Sequence, residues 1–99
     1  MTFQVRYTKQ ARADMGRLFA YLAARDPVLA KTARATIAKG MELLKDFPFS
    51  CRKATPDNPF LRELIIHFGS AGYVALFEIE DAHTITILAV RRQREDDFL

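Results

Sequence analysis

The chain has 99 residues, of which 49% are hydrophobic and 27% are charged, so it can bury a real core and is not disordered by composition. A single domain over residues 1–99 is the natural expectation at this length. The one cysteine, Cys51, excludes an internal disulfide framework and a zinc site of clustered cysteines. No apolar run reaches the roughly 18–20 residues of a membrane span, and the first residues do not resemble a signal peptide. We therefore expect a reducing, cytoplasmic setting.

The net charge is small but unevenly distributed along the chain. With histidine neutral it is +3, which divides into +7 for residues 1–62 and −4 for residues 63–99. The basic part suggests an acidic partner. A domain that binds DNA through phosphate contacts usually carries a denser basic stripe. We therefore expect no direct, sequence-specific DNA binding by this chain.

The N-terminal half predicts one strand followed by two helices. Apolar and polar residues alternate over residues 3–7, as in a half-buried strand. Thr8 supplies a hydroxyl cap for a first helix over about residues 9–25. Asp26-Pro27 signals the start of a second helix, which runs to about residue 46. A connection this short predicts an antiparallel helical hairpin.

Both predicted helices are amphipathic. Their inward-facing residues are Ala11, Met15, Leu18 and Leu22, with Phe19 beside them, in the first helix, and Ala30, Ala33, Ile37, Met41 and Leu44 in the second. Gly40 lies within the second helix, where it costs about 1 kcal/mol relative to alanine. Either a close helix–helix approach compensates for this cost, or the position is simply a weak point.

The C-terminal half predicts three strands after an irregular segment. Residues 47–59 are rich in proline and other breakers, which argues against any regular element there. Strand-like runs follow at 61–68, 73–80 and 84–91, with connections short enough for hairpins. The predicted fold is therefore α+β with the order β-α-α-β-β-β, in which the helical hairpin packs on one face of a largely antiparallel sheet.

Both faces of this predicted sheet are partly apolar. Strict alternation in the last strand, for example, places Leu88 and Val90 opposite Ile87. One helical hairpin covers only one face, and large exposed apolar patches usually mark an interaction site. Alternatively, the segment 47–59 or the tail 92–99 folds over the second face.

Few side chains in the sequence indicate a catalytic, metal-binding or anion-binding site. His67 and His83 are not accompanied by clustered carboxylates or thiols, so we expect no metal and no cofactor. Arg91, Arg92 and Arg94 lie at the end of the last predicted strand and directly after it, and guanidinium groups bind carboxylate or phosphate in a bidentate manner. The alternative is a solvated tail in which these arginines pair with the acidic residues that follow.

A series of short motifs occurs in a fixed order across nearly the whole chain. They are the strand 3–7, Ala11-x-x-Asp14, Leu18-x-x-Tyr21-Leu22, Phe47-Pro48, and the segments 61–64, 72–77 and 87–98. With them the chain resembles the ParE/RelE superfamily of toxins from bacterial type II toxin–antitoxin systems, and within it the ParE-like branch. The ending Arg-x-Gln-Arg-Glu-Asp-Asp-Phe is the most specific of these motifs. The family's fold also has the order β-α-α-β-β-β.

The resemblance to the ParE-like branch implies inhibition of DNA gyrase by binding, without catalysis. Members of this branch trap the cleaved-DNA complex of gyrase, and the resemblance extends to plasmid stabilisation. A toxin of this kind needs no catalytic residue and no cofactor. Arg91, Arg92 and Arg94 are then the candidates for contact with the target.

The RelE-like branch implies a different activity, ribosome-dependent and metal-free cleavage of mRNA. On this alternative, Arg62 and Arg92 supply cations to the transition state. However, Val74 and Leu64 stand where the RelE pattern has an arginine and a lysine, and Phe98 replaces a tyrosine. Phenylalanine cannot transfer a proton, so an acid–base pair is not evident. The ParE-like interpretation is therefore preferred.

The family also implies a cognate antitoxin of the ParD type, whose disordered segment wraps around the toxin. The candidate contacts are Leu18, Tyr21 and Leu22 on the first helix, and Val74 and Leu76 on the sheet. Ordinary core packing is an equally good interpretation of Leu18 and Leu22. A third hypothesis is a relative that has lost its toxicity and remains an interaction module.

Overall fold

A five-stranded mixed sheet carries both helices on one of its faces, which confirms the predicted α+β fold. The computed structural model describes residues 2–93, and of Ala71 only the backbone. The elements are β1 (Gln4–Tyr7), α1 (Lys9–Arg25), α2 (Pro27–Leu44), a 3-10 helix (Pro48–Ser50), β2 (Arg52–Thr55), β3 (Asn58–Phe68), β4 (Ala71–Ile79) and β5 (Thr84–Arg92). No helix in this part of the chain has the length and apolar character needed to cross a bilayer.

The strands are arranged in the order β1-β5-β4-β3-β2. β1 pairs in parallel with β5, whereas the other three pairings are antiparallel. The sheet is therefore largely antiparallel, as predicted. β1 can lie parallel to β5 because the helical hairpin and three further strands separate the two along the chain.

The prediction of an irregular segment at 47–59 was wrong. Pro48 begins the 3-10 helix, and β2 pairs with the start of β3 as an edge strand. Pro56 lies in the turn between these strands, where its missing N–H breaks no ladder bond. β2 therefore extends the sheet at its edge, in the plane of the strands, and does not lie over the second face.

A single residue, Asp26, ends one helix and begins the next. Its N–H donates to the carbonyl of Leu22, which closes α1. Its carboxylate accepts the N–H groups of Val28 and Leu29, at 3.0 and 3.2 Å, which caps α2. Thr8 caps α1 in the same way, at 3.0 Å from the Ala11 nitrogen. The predicted boundaries of the two helices are confirmed to within two residues.

The core lies between the helices and one face of the sheet. All five inward-facing residues predicted for α2 are buried, while in α1 Ala11 and Leu18 are buried and Met15, Phe19 and Leu22 pack against the core. A Cβ at Gly40 would lie 3.1 Å from the side chain of Ile66. The glycine therefore allows a close approach between α2 and β3, and not between the two helices.

A β-bulge in β5 overturns the predicted alternation of that strand. Phe77 pairs with Ile87 but its neighbour Leu76 pairs with Ala89, so Leu88 is an extra residue. Ile87 and Val90 are consequently both fully buried in the core. The prediction that they face opposite sides of the sheet was wrong, because a bulge shifts the phase of the residues that follow it.

Candidate functional site

The α1 helix is tied directly to the bulge in β5. The Asp14 carboxylate, only 4% exposed, accepts the N–H of Val90 at 3.0 Å. Its other oxygen accepts hydrogen bonds from Gln10, at 2.7 Å, and from Arg17, at 3.0 Å. The Thr8 hydroxyl also donates to the carbonyl of Leu88. The bulge thus places backbone groups where α1 and its cap can bind them, directly before Arg91 in the chain.

Burial alone would raise the pKa of Asp14, but its hydrogen bonds outweigh this effect. The N–H of Val90 and the side chains of Gln10 and Arg17 favour the ionised carboxylate, so the pKa lies below its usual value. Sequence reasoning did not assign this role. The available signal was an acidic residue within the apolar stripe of α1, between Ala11 and Leu18.

Arg91 and Arg92 are adjacent in sequence but lie on opposite faces of the sheet. Arg92 pairs with Tyr73, which faces the helices, and Arg91 pairs with Val74, which faces away from them. The Nε atom of Arg91 is buried. Arg94, the third predicted target contact, lies outside the described residues. The structure therefore does not bring Arg91 and Arg92 into one flat patch.

On the helix side, Arg92 forms a cationic surface with two residues of α1. The centroid of the Tyr21 ring lies 5.0 Å from Cζ of Arg92 and 4.0 Å from Cζ of Arg25. Tyr21 is 41% exposed. Arg25 lies in the last turn of α1, where the helix dipole favours a positive charge. We call Tyr21, Arg25 and Arg92 the Tyr21 platform.

A close backbone approach holds the end of β5 in place. A Cβ at Gly72 would lie 2.6 Å from the carbonyl oxygen of Ile66 and 2.9 Å from Oε1 of Gln93. Only glycine fits between these atoms without displacing them. Gly72 thus allows the residue that follows the platform arginine to pack against the hairpin of β3 and β4.

A groove runs between α1, α2 and β1. It consists of two adjoining cavities of about 380 and 250 Å³, which share Tyr7, Ala38 and Met41. The other lining residues are Val5, Arg12, Met15, Gly16, Phe19, Arg34, Ile37, Glu42 and Lys45. We call this feature the helix groove.

Two guanidinium groups stand at the helix groove. Cζ of Arg34 lies 4.4 Å from the centroid of the Phe19 ring, and Cζ of Arg12 lies 5.9 Å from that of Tyr7. Both arginines are exposed. An apolar floor with cations beside it suits a segment that carries apolar residues and carboxylates together.

The five predicted antitoxin contacts do not share one surface. Leu18 is 6% exposed and Leu22 packs against the core, whereas Tyr21 is open to solvent. Val74 and Leu76 lie on the face of the sheet that points away from the helices, and Val74 is only 2% exposed. Sequence reasoning expected the antitoxin segment to lie in a groove between the helices and the sheet, but it did not name Met15 and Phe19 as groove residues because it assigned both to the core.

Arg62 and Arg92, the predicted catalytic pair of the alternative activity, are far apart. Arg62 lies opposite Phe77 and Arg92 lies opposite Tyr73, four residues along β4, or about 13 Å. The two strands that carry them are also separated by β4. The two guanidinium groups are also engaged at different places, that of Arg62 with backbone carbonyls beside β2 and that of Arg92 over the Tyr21 ring.

Arg62 is held by the backbone around it. Its Nε donates to the carbonyl of Pro59 at 2.7 Å, and its terminal nitrogen donates to those of Cys51, at 2.7 Å, and Phe49, at 3.2 Å. Burial raises the pKa of the Cys51 thiol, although the charge of Arg62 opposes this. Cys51 is therefore poorly suited to act as a nucleophile. Within residues 2–93, no group of three His, Cys, Asp or Glu side chains is placed to hold a metal ion.

Comparison with known proteins gives two findings. The model of a family described as "ParE toxin of type II toxin-antitoxin system, parDE" matches residues 5–97. Among solved structures, the chain is similar to one titled "Chromosomal ParDE TA system from P. aeruginosa", with a TM-score of 0.72 and 20% identity over 92% of this chain and 96% of that one. At this identity the structural likeness shows a common fold. A comparison with curated protein sequences returned no significant match.

Proposed function

Since the chain belongs to the family of ParE toxins of type II toxin–antitoxin systems, we propose that it inhibits DNA gyrase by binding and is neutralised by an antitoxin of the ParD type. The proposal places its action in the cytoplasm, where gyrase works, and gives it a role in plasmid stabilisation. The Tyr21 platform is the proposed contact with the target, because it presents two guanidinium groups beside an exposed aromatic ring.

The separation of Arg62 from Arg92 is the observation that carries this proposal. Cleavage of RNA through its 2′-hydroxyl needs a base, an acid and a cation around one phosphate. Arg62 instead donates to three backbone carbonyls, and about 13 Å of strand separates its position from that of Arg92. This arrangement favours inhibition through binding over mRNA cleavage.

The antitoxin segment is proposed to dock in the helix groove. Its apolar residues would cover Met15 and Phe19, while its carboxylates would pair with Arg12 and Arg34. The charge of +7 on residues 1–62 supports an acidic occupant.

Three of the residues predicted for the antitoxin can be placed in this proposal. Tyr21 stays a direct contact because its ring is exposed, and Leu18 and Leu22 support α1 from the core side. A contact at Val74 and Leu76 would require the segment to continue onto the second face of the sheet.

A gyrase cleavage assay beside a ribosome-dependent mRNA cleavage assay, on one preparation, tests the proposed target. We expect cleaved gyrase–DNA complexes to accumulate and mRNA to stay intact. Arg92→Ala should reduce the accumulation of cleaved complexes about tenfold, because it removes one of the two guanidinium groups that the Tyr21 platform presents to the target. Lys53→Ala, on the exposed edge strand, is the matched control and should leave it unchanged.

Two other outcomes would contradict the proposed target. If gyrase is unaffected and mRNA is cleaved, the protein has the RelE-like activity. If neither activity is found in vitro and bacteria that express the chain alone grow normally, the protein is a relative that has lost its toxicity.

Co-purification with the product of an adjacent short reading frame tests the proposed partner. We expect a stable complex that suppresses the gyrase effect. The proposed partner would be contradicted if the toxin is monodisperse in size-exclusion chromatography and shows no binding to this product in calorimetry.

A further inference from the structure

The outer edge of β3 is only partly covered by β2. β4 pairs with β3 from Leu61 to Phe68, whereas β2 pairs with it only from Asn58 to Glu63. Within residues 2–93, no strand lies beside residues 64–68 on that outer side. An unpaired strand edge presents N–H and C=O groups that another strand can bind. We call residues 64–68 the free edge of β3.

The hydrogen-bond pattern of the β3–β4 hairpin determines which backbone groups this edge exposes. The two strands are joined by a two-residue turn that begins at Gly69, whose φ is 60°. The residues that flank such a turn exchange both of their hydrogen bonds, so every second residue of β3 bonds to β4 and the others point outward. Counting back from the turn, the outward residues are His67, Ile65 and Glu63. The pairing of Glu63 with Arg52 of β2 agrees with this count, so the exposed groups are those of Ile65 and His67.

An apolar cleft of about 270 Å³ lies beside the free edge. Of the described residues, those that line it belong to α2 and β3, among them Gly40 and Leu43 of α2 and Ile65 and His67 of β3. Neither β2 nor the 3-10 helix contributes to the lining, so the cleft leaves room for a further strand. Leu43 is 56% exposed. An added strand would therefore gain apolar contacts as well as backbone hydrogen bonds.

The sequence of the free edge suits pairing with a second copy of the same strand. Residues 64–68 include no Lys, Arg, Asp, Glu or Pro, the residues that commonly protect a strand edge from such pairing. Antiparallel pairing centred on Ile66 would place Ile65 opposite His67 of the other copy, so that the outward N–H and C=O groups of both residues are satisfied. The two Ile66 side chains would then face each other, as a β-branched pair of the kind that stabilises a sheet.

The other two strand edges are less suited to a second copy. β2 carries Arg52 and Lys53, so antiparallel pairing of two β2 strands would bring like charges together. β1 is short, carries the exposed Arg6, and borders the helix groove, which is proposed for the acidic segment. The cleft beside β3 is lined mainly by uncharged residues, so an uncharged strand suits it better than an acidic segment does.

We propose that two copies of this chain associate through the free edges of β3, which joins their sheets into one continuous sheet. A two-fold axis would pass beside Ile66, and Leu43 of each copy would pack against the other copy. The cleft shares no lining residue with the helix groove or with the Tyr21 platform, so the dimer leaves both of those surfaces to other partners. This inference depends neither on gyrase nor on the antitoxin.

Amide hydrogen exchange of the ¹⁵N-labelled full-length chain, at low micromolar and at millimolar concentration, tests this proposal. We expect the amides of Ile65 and His67 to exchange about tenfold more slowly at the higher concentration, because only the dimer gives them an acceptor. The amide of Ile66 bonds to β4 and should be protected at both concentrations. Sedimentation over the same range should show a monomer–dimer equilibrium.

Two substitutions test the free edge directly. His67→Pro removes one outward N–H but no bond to β4, and Leu43→Glu places a charge beside the cleft, so each should weaken dimerisation about tenfold. The matched control for the first is Lys53→Pro, which removes an outward N–H from the edge strand β2. The matched control for the second is Val28→Glu, at an exposed apolar position about 22 Å from Leu43 along α2. Neither control should change dimerisation.

Three results would overturn the proposal. In the first, the chain stays monomeric at millimolar concentration. In the second, the chain dimerises but the two edge variants dimerise like their controls, which places the interface elsewhere. In the third, the amides of Ile65 and His67 become protected only when the antitoxin is added, in which case the occupant is a strand of a partner. Because Leu43→Glu alters an exposed side chain, it tests the free edge even if His67→Pro fails to fold.

Discussion

The carboxylate of Asp14 accepts the backbone N–H of Val90 at 3.0 Å, across 76 residues of sequence. This bond joins the helical hairpin to the strand that ends in Arg91 and Arg92. It forms because the bulge at Leu88 turns the Val90 N–H towards α1. The position of the Tyr21 platform therefore depends on a buried carboxylate that does not belong to it.

Replacing Asp14 with asparagine should lower the free energy of unfolding by about 2 kcal/mol. Every hydrogen-bond partner of Asp14 is a donor. In asparagine an NH₂ group replaces one acceptor oxygen, so two donors would face each other and one hydrogen bond would be lost. Urea unfolding at pH 7 measures this loss. Asp46→Asn, at an exposed position, should change the free energy by less than about 0.5 kcal/mol. Equal effects of the two substitutions would contradict the role assigned to Asp14.

The contribution of Asp14 should disappear in acid. Its folded-state pKa is lowered, so its stabilisation is fully present above the unfolded-state pKa of about 3.9 and is lost as the pH falls through the folded-state pKa. The difference in unfolding free energy between the wild type and Asp14→Asn should therefore shrink below about pH 4. The N–H of His83 also lowers the pKa of Asp81. Because Asp81 is present in both proteins, its contribution cancels in the difference between their free energies of unfolding. A difference that stays constant from pH 7 to pH 3 would show that the charge is unimportant.

Gly72→Ala should destabilise the protein by about 2 kcal/mol, because the new Cβ would overlap the Ile66 carbonyl. Gly16→Ala is the matched control. Nothing lies within 4 Å of a Cβ at Gly16, which is exposed within α1. It should stabilise the protein by about 0.5–1 kcal/mol, since alanine loses less backbone entropy in a helix. Thermal unfolding followed by circular dichroism measures the stability change of both variants. The prediction would be contradicted if both substitutions stabilise the protein or both destabilise it.

Arg34→Glu should slow association with the antitoxin about tenfold and reduce its dependence on salt, because Arg34 is an exposed cation beside the helix groove. Stopped-flow or surface plasmon resonance measurements at two salt concentrations give both quantities. Lys53→Glu reverses a charge on the edge strand β2, away from the groove, and controls for net charge. If it slows association equally, the helix groove is not the docking site.

The helices were predictable because their determinants are local. Thr8 and Asp26 act on N–H groups two or three residues away, and the apolar stripes follow the helical period. β2 was not predictable in this way. Its pairing with β3 depends on contacts across a turn that contains Pro56, and prolines alone favour a loop.

The candidate site shows the same division between local and non-local information. Local patterns were enough to predict the family, the order of both helices and four of the five strands, and the arginine cluster at the end of the last strand, since composition and short-range spacing carry these features. Three features could not be predicted from local patterns. Arg91 and Arg92 lie on opposite faces of the sheet, Arg62 is held by backbone carbonyls, and the Asp14 carboxylate binds the N–H of Val90. They were not predictable because strand pairing and the bulge depend on contacts between residues that are far apart in the chain.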